Sequence, residues 1–484
     1  MARLRRFISS RAALAAVLLG IARAAAAQTP VSLAELLPVD TAVRTGRLAN
    51  GLTYYIRHNG VPGKRAELRL VVNAGSALED DDQKGVAHLL EHLAFDGSTH
   101  FPGHEMWDYL ERLGMRGGAD VNASTSFDET VYRIAIPTDS AEVVTRGLQM
   151  LGDWMHGLAL DSAELERERK VVVEEWRVRE GAASRISTQQ LAVIALGSPY
   201  PDHTPMQPAD VMARASLAAV RRFYHDWYRP DLMAVVIVGD VDPAALEARV
   251  RRMYSAIPAP AHPRPRPAIT VPVDSAPRIS VVTDAEATAT SVTVLVTRPA
   301  VPERTVGDVR RGIVAEAADA MLTARLTDLA HQAGAPMLDV AMGHGSIVRP
   351  LAFHQFSARA ADGGVQRALR ALLAEAARVQ RSGFTATELE RQTRAIRLSY
   401  DQLEAQRDRI PSATYADRLV NEFLTGAPAV PLERAVAIGR RLVSTITLDD
   451  VRRALADLVA GPGRIILVSA PAAATALPSV AELR

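Results

Sequence analysis

A chain of 484 residues is too long for one ordinary core, because single domains cluster near ~100–200 residues; with 48% apolar and 23% charged residues, two or three folded domains are expected and nothing in the composition suggests disorder. A formal net charge of +1 gives no basic excess for a nucleic-acid partner. Cysteine is absent, which rules out disulfides, thiolate zinc sites and a cysteine nucleophile.

At the N-terminus, Arg3, Arg5 and Arg6 precede an apolar run over 12–21 and small residues at 24–27, the pattern of a signal peptide spanning 1–27. Removing it takes away five Arg and no acid, turning the charge from +1 to −4. Export is therefore expected, and a large core must stand in for covalent cross-links. No later stretch approaches the ~18 consecutive apolar residues of a membrane span.

The first domain is expected over 37–257. Asn50-Gly51 is a hairpin turn signal ahead of a strand at 52–57, and 68–73 is a second strand. Apolar residues recur at helical spacing over 84–95, and a second helix over 104–113 stops at Gly114. Alternation then predicts a strand pair at 119–126 and 130–136. Long helices follow over 141–155 and 162–196, and 234–238 reads as a buried strand.

The proline-rich run at 258–267 cannot continue a helix, so 258–272 reads as an extended linker. The second domain, 273–484, offers strands near 279–282 and 291–297, helices near 306–333, 365–381 and 385–409, and a closing strand at 465–468. Runs of strands and runs of helices favour an α+β fold of two tandem homologous units, each a mostly antiparallel sheet layered with helices. No repeat is visible residue by residue.

The chemistry lies in the helix at 84–95. His88-Leu-Leu-Glu-His92 puts two imidazoles one turn apart on one face, where they can share a divalent ion. Glu91 stands beside them, within reach of a water at the ion without being a ligand. This is the inverted zincin order. A catalytic zinc needs a third protein ligand and an open position. On the helix at 162–196, Glu164, Glu168 and Glu175 fall within about 40° of one another in projection, next to the stripe Leu165, Val172 and Trp176, while Glu174 points away. The ligand is thus Glu175 or Glu168, the other being free to orient a histidine from behind. The remaining histidines show no second metal-ligand spacing.

Four segments together, GVAHLLEHLAF at 85–95, DVNASTSFDETVY at 120–132, ERERKVVVEE at 166–175 and FYHDWYRP at 223–230, resemble the insulinase and pitrilysin peptidase family, bacterial periplasmic type. The likeness runs from about 44 to 470 and is strongest in the first half. It implies one Zn²⁺ per chain held by His88, His92 and Glu175, Glu91 as general base, and Glu168 in support of the site. It places the last ligand seven residues after a Glu of an E-R-E-R run, which selects Glu175; the long interval from His92 keeps Glu168 as the fallback.

The resemblance also implies a zinc metalloendopeptidase acting on peptides or unfolded polypeptides. Substrate would add as a strand along Asn122, Ala123 and Ser124, with Phe95 lining the pocket. The second domain, which lacks the motif, resembles the family's non-catalytic repeat. Relatives often carry four repeats closing as a clamshell, so a homodimer or a complementary second-half subunit is expected to complete the chamber. The competing reading is a non-catalytic peptide-binding or assembly subunit of a two-chain peptidase; such relatives usually lack one of the motif residues, all of which are present here.

Overall fold

The computed structural model describes residues 32–361 and 363–484; the expected signal peptide lies outside the described residues. Two mixed sheets, each layered with helices, build the chain, and the expected α+β class with two tandem units is what the structure has. The first sheet contains β1 (Val43–Arg47), β2 (Thr53–His58), β3 (Arg65–Val72), β4 (Val121–Thr125), β5 (Thr130–Pro137) and β6 (Met233–Gly239) in the order β1-β2-β6-β3-β5-β4. The second contains β7 (Arg278–Asp284), β8 (Thr290–Pro299), β9 (Asp339–Val348), β10 (Leu351–Ala360) and β11 (Arg464–Pro471) in the order β7-β11-β8-β10-β9.

Apart from the extra strand β1, the two orders are the same. β2 with β6 and β7 with β11 are the parallel pairs, and every other ladder is antiparallel. The duplication invisible in side chains is therefore plain in topology. Residues 258–277, which include the proline-rich run, carry no helix or strand and join the two units.

β6 explains why a strand can be apolar throughout. Val235 and Ile237 enter the main core of the first unit, whereas Ala234, Val236 and Val238 enter a second cluster with Tyr55 and Val71. That second face is covered by Ala416 and Leu419 of the helix Ser412–Thr425, contributed by the second unit. A strand buried on both sides reads as a continuous apolar run.

Four helices frame the site: α1 (Val86–Leu93), α2 (Glu105–Arg112), α3 (Ala141–His156) and α4 (Ser162–Arg179). α4 ends earlier than expected, because the predicted helix over 162–196 breaks at Glu180 and Gly181 before resuming as α5 (Ala182–Ile194). Gly181 has extended backbone, φ −154° and ψ 176°, which no helix can include. β1, β9 and β10 were not expected from the sequence, and β9 and β10 form the edge hairpin of the second sheet. Among the described residues, no helix is long and apolar enough to cross a membrane.

Candidate metal centre

α1 begins at Gly85, whose φ of +85° is the left-handed region that glycine adopts without steric cost. The first amide groups of a helix lack intrahelical partners. Here the fully buried carboxylate of Glu79 accepts from the N–H of Gly85 at 3.0 Å and of Ala87 at 2.8 Å. This cap fixes the start of a helix whose only partly exposed member is His92.

α1 and α4 pack together and bring three groups to one point. The Nε2 atoms of His88 and His92 lie 3.5 and 3.4 Å from the same oxygen, Oε2 of Glu175, and the three ligand atoms all fall within 4.8 Å of one another. Those separations are too long for charge-assisted hydrogen bonds, which close to about 2.7–2.9 Å. They match a shared ion instead: tetrahedral ligands held at about 2.0–2.1 Å stand about 3.3–3.4 Å apart. The donor set, two imidazole nitrogens and one carboxylate oxygen, is one zinc accepts, and it leaves a fourth position for water or substrate.

Glu168 lies on the other side of His92. Its Oε2 accepts from Nδ1 of His92 at 3.1 Å, which leaves Nε2 to face Glu175. The structure thus separates the two acids between which the sequence left a choice: Glu175 stands at the convergence point and Glu168 behind the ring. Burial, followed by the neighbouring His92, pushes His88 down to about 4, so that ring is neutral near pH 7. Burial also acts to lower His92, but the hydrogen bond to Glu168 and the nearby carboxylate of Glu175 outweigh it and hold the group up at about 9. Carboxylates that hold a proton this firmly offer the same attraction to a divalent cation, which displaces the proton.

Two arginines brace the acids. Arg179, one turn beyond Glu175, approaches its Oε1 at 2.6 Å. Arg167 on α4 donates to Asp96, just after α1, at 2.5 Å and also approaches Glu164 at 2.7 Å, tying α4 to the end of α1. Glu91 is buried, which raises its pKa, and its Oε2 accepts from the Thr125 hydroxyl at 2.6 Å.

These groups open on a cleft of about 570 Å³ lined also by Asn122, Ala123 and Ser124 of β4 and by Phe95. Phe95 serves the core as well, stacking on Trp107 with ring centroids 5.4 Å apart and meeting Trp154 edge-on at 5.3 Å. β4 is the outermost strand; on its outer side Val121 is bridged to Gly117, and beyond that residue its outer backbone groups have no strand partner among the described residues. The contact of Thr125 with Glu91, and Arg179 and Glu79 altogether, were missed in the sequence. Period-two alternation from Val121 and Ala123 points to Thr125, and i,i+4 spacing points to Arg179. No local signal marks Glu79.

An inverted zincin motif carried on two tandem α+β units defines a class, and comparison gives the family. The model of the Insulinase (Peptidase family M16) domain matches residues 55–200, and that of the Peptidase M16 inactive domain matches residues 214–396. The chain belongs to the insulinase (M16) peptidase family. It is 29% identical over 450 residues to the "Probable zinc protease PqqL" of Haemophilus influenzae, covering 92% of this chain and 48% of that protein. It is also 29% identical to the "Zinc protease PQQL-like" of Arabidopsis thaliana, covering 89% of this chain and 42% of the relative. The crystal structure of the first half of the periplasmic protease PqqL from Escherichia coli superposes with a TM-score of 0.84 at 26% identity, covering 93% of this chain and 96% of that one. The chain spans about half the length of the curated relatives it matches.

Proposed function

We propose that the chain is a zinc metalloendopeptidase that cleaves peptides or unfolded polypeptides, with its catalytic unit at 37–257, a linker at 258–272 and a non-catalytic repeat at 273–484. The observation that carries this reading is the convergence of His88, His92 and Glu175 at tetrahedral-edge spacing beside a buried carboxylate that is not a ligand. One zinc per chain is assigned to those three residues. When bound, zinc supplies Lewis acidity, lowering the pKa of water toward ~7 and polarising a peptide carbonyl.

The protein's own groups do the rest. Glu91 takes the proton of the attacking water and returns it to the leaving amine, as a carboxylate with a raised pKa is suited to do. Thr125 occupies one oxygen of Glu91 and so fixes the direction of the other. Glu168 holds His92 in one tautomer. An extended peptide lies along Asn122, Ala123 and Ser124 and pairs with the free edge of β4, which makes recognition depend on backbone more than on sequence.

The relatives named PqqL include a periplasmic protease, and export to that compartment is the location we assign. Because the relatives are about twice as long, we extend the reading to a closed chamber. Its facing half would be supplied by further sequence, a second copy or another subunit. The alternative, a peptide-holding subunit without activity, predicts binding without cleavage. Purified protein given zinc and an unstructured peptide mixture distinguishes the two: chelator-sensitive cleavage is expected, and retention of intact peptide would overturn the enzymatic reading.

A further inference from the structure

The turn that joins β4 to β5, residues 126–129, begins one residue after Thr125, the residue whose hydroxyl holds Glu91. Within the turn, Ser126 Oγ donates to Glu129 Oε1 at 2.6 Å, and the Ser126 N–H donates to the Glu129 carbonyl at 2.8 Å. Acids in a surface turn are ordinarily solvated. Asp128 is only 5% exposed.

Its partners come from far along the chain. The Tyr200 hydroxyl donates to Asp128 Oδ1 at 2.9 Å. The backbone N–H of Arg349 donates to Asp128 Oδ2 at 3.2 Å, and its guanidinium donates to the Asp128 carbonyl at 3.0 Å and to Glu129 Oε2 at 2.5 Å. The same guanidinium reaches Asn73 Oδ1 at 2.5 Å, at the end of β3. Arg349 sits in the turn between β9 and β10, so the edge hairpins of the two units meet turn to turn. Tyr200, Val271, Val348 and Leu351 form an apolar cluster around the contact.

β4 has a strand neighbour on one side only. Whatever fixes its turn therefore contributes strongly to its order. We propose that Arg349 is a positioning residue for the peptidase site: through the 126–129 turn it holds β4 and the Thr125–Glu91 bond in place. The second unit is then a working part of the site as well as a cover for the first sheet. The proposal rests on the roles given above to Glu91 and β4.

The test uses the full chain and two readouts, amide hydrogen exchange and steady-state cleavage of an unstructured peptide with zinc present. Arg349→Ala is expected to keep one zinc, to speed exchange of amides 121–130 by about ten-fold or more while leaving 86–93 unchanged, and to raise KM. Arg349→Lys, which keeps the charge but not the fork of donors, should recover part of both effects. Glu129→Gln should act in the same direction more weakly, and these two milder variants carry the test if the alanine variant does not fold. Unchanged exchange at 121–130, a uniform rise over both units, or faster exchange with unaltered kcat and KM would overturn the assignment. Failure of the parent to cleave any peptide is a separate result that sinks the peptidase reading, and the exchange pattern then decides alone on Arg349.

Discussion

The two units share a strand order and differ in the polar groups buried beneath the edge hairpin. In the first, α1 lies between β3 and β4 in the chain and carries His88, Glu91 and His92. In the second, the helix Val306–Ala330 lies between β8 and β9 and carries the buried Asp319. Asp319 is closed on both sides, by His354 Nε2 at 2.5 Å and by His344 Nδ1 at 2.8 Å. The Nε2 atoms of His92 and His88 instead stand 3.4 and 3.5 Å from a common carboxylate oxygen of Glu175, and the buried Nδ1 of His88 has no hydrogen-bond partner among the described residues. A polar cluster that satisfies itself stabilises a fold, while one spaced around a shared point is ready for a cation.

The sharpest way to probe this contrast is Glu91→Gln. It should lower kcat about 10²- to 10⁴-fold in a peptide-cleavage assay while metal analysis still finds one zinc per chain; an active variant would remove Glu91 from the mechanism. Glu168→Gln should weaken zinc binding by about 10- to 100-fold without abolishing it, as judged by competition with a chelator. A complete loss there would move the third ligand from Glu175 to Glu168.

In the second unit the expected effects are on stability. Asp319→Ala strands the buried His354 and should cost about 1–3 kcal/mol in thermal or denaturant unfolding with zinc content unaltered. A change in metal content would show that the two clusters are coupled. The smallest effect concerns pH. The bond to Asp319 raises the pKa of His344, so its stabilisation is complete below the unfolded histidine value near 6.5 and fades as pH rises through the folded value. For Asp319, burial acts to raise the pKa but the two histidine bonds prevail and lower it, so its share is present above the unfolded value near 3.8 and is lost at lower pH. Partial exposure of His344 keeps its part below about 1 kcal/mol. A melting temperature that falls as pH rises above 6.5 in the parent, and falls less in Asp319→Asn, is the expected record.

The same contrast explains what was legible in the sequence. His88, Glu91 and His92 lie within one and a half turns of one helix, so their spacing alone announces the site. Glu175 and Glu168 share a helix face, and only the packing of α4 against α1 shows which reaches the convergence point. β9 has Gly343 and Gly345 around His344 and a mostly exposed side-chain row, so alternation is weak and its strand character depends on pairing with β10. In β10 the buried row is His354, Phe356, Ala358 and Ala360, in which a histidine and two small residues blur the apolar period. The 220-residue reach from Arg349 to Glu129 has no local trace at all.

Zinc titration calorimetry on metal-stripped protein, with the parent and Glu175→Gln measured side by side, asks whether His88, His92 and Glu175 hold the ion together. The expected result is one tight site per chain in the parent and its loss in the variant. Equal zinc binding by the two proteins would contradict it.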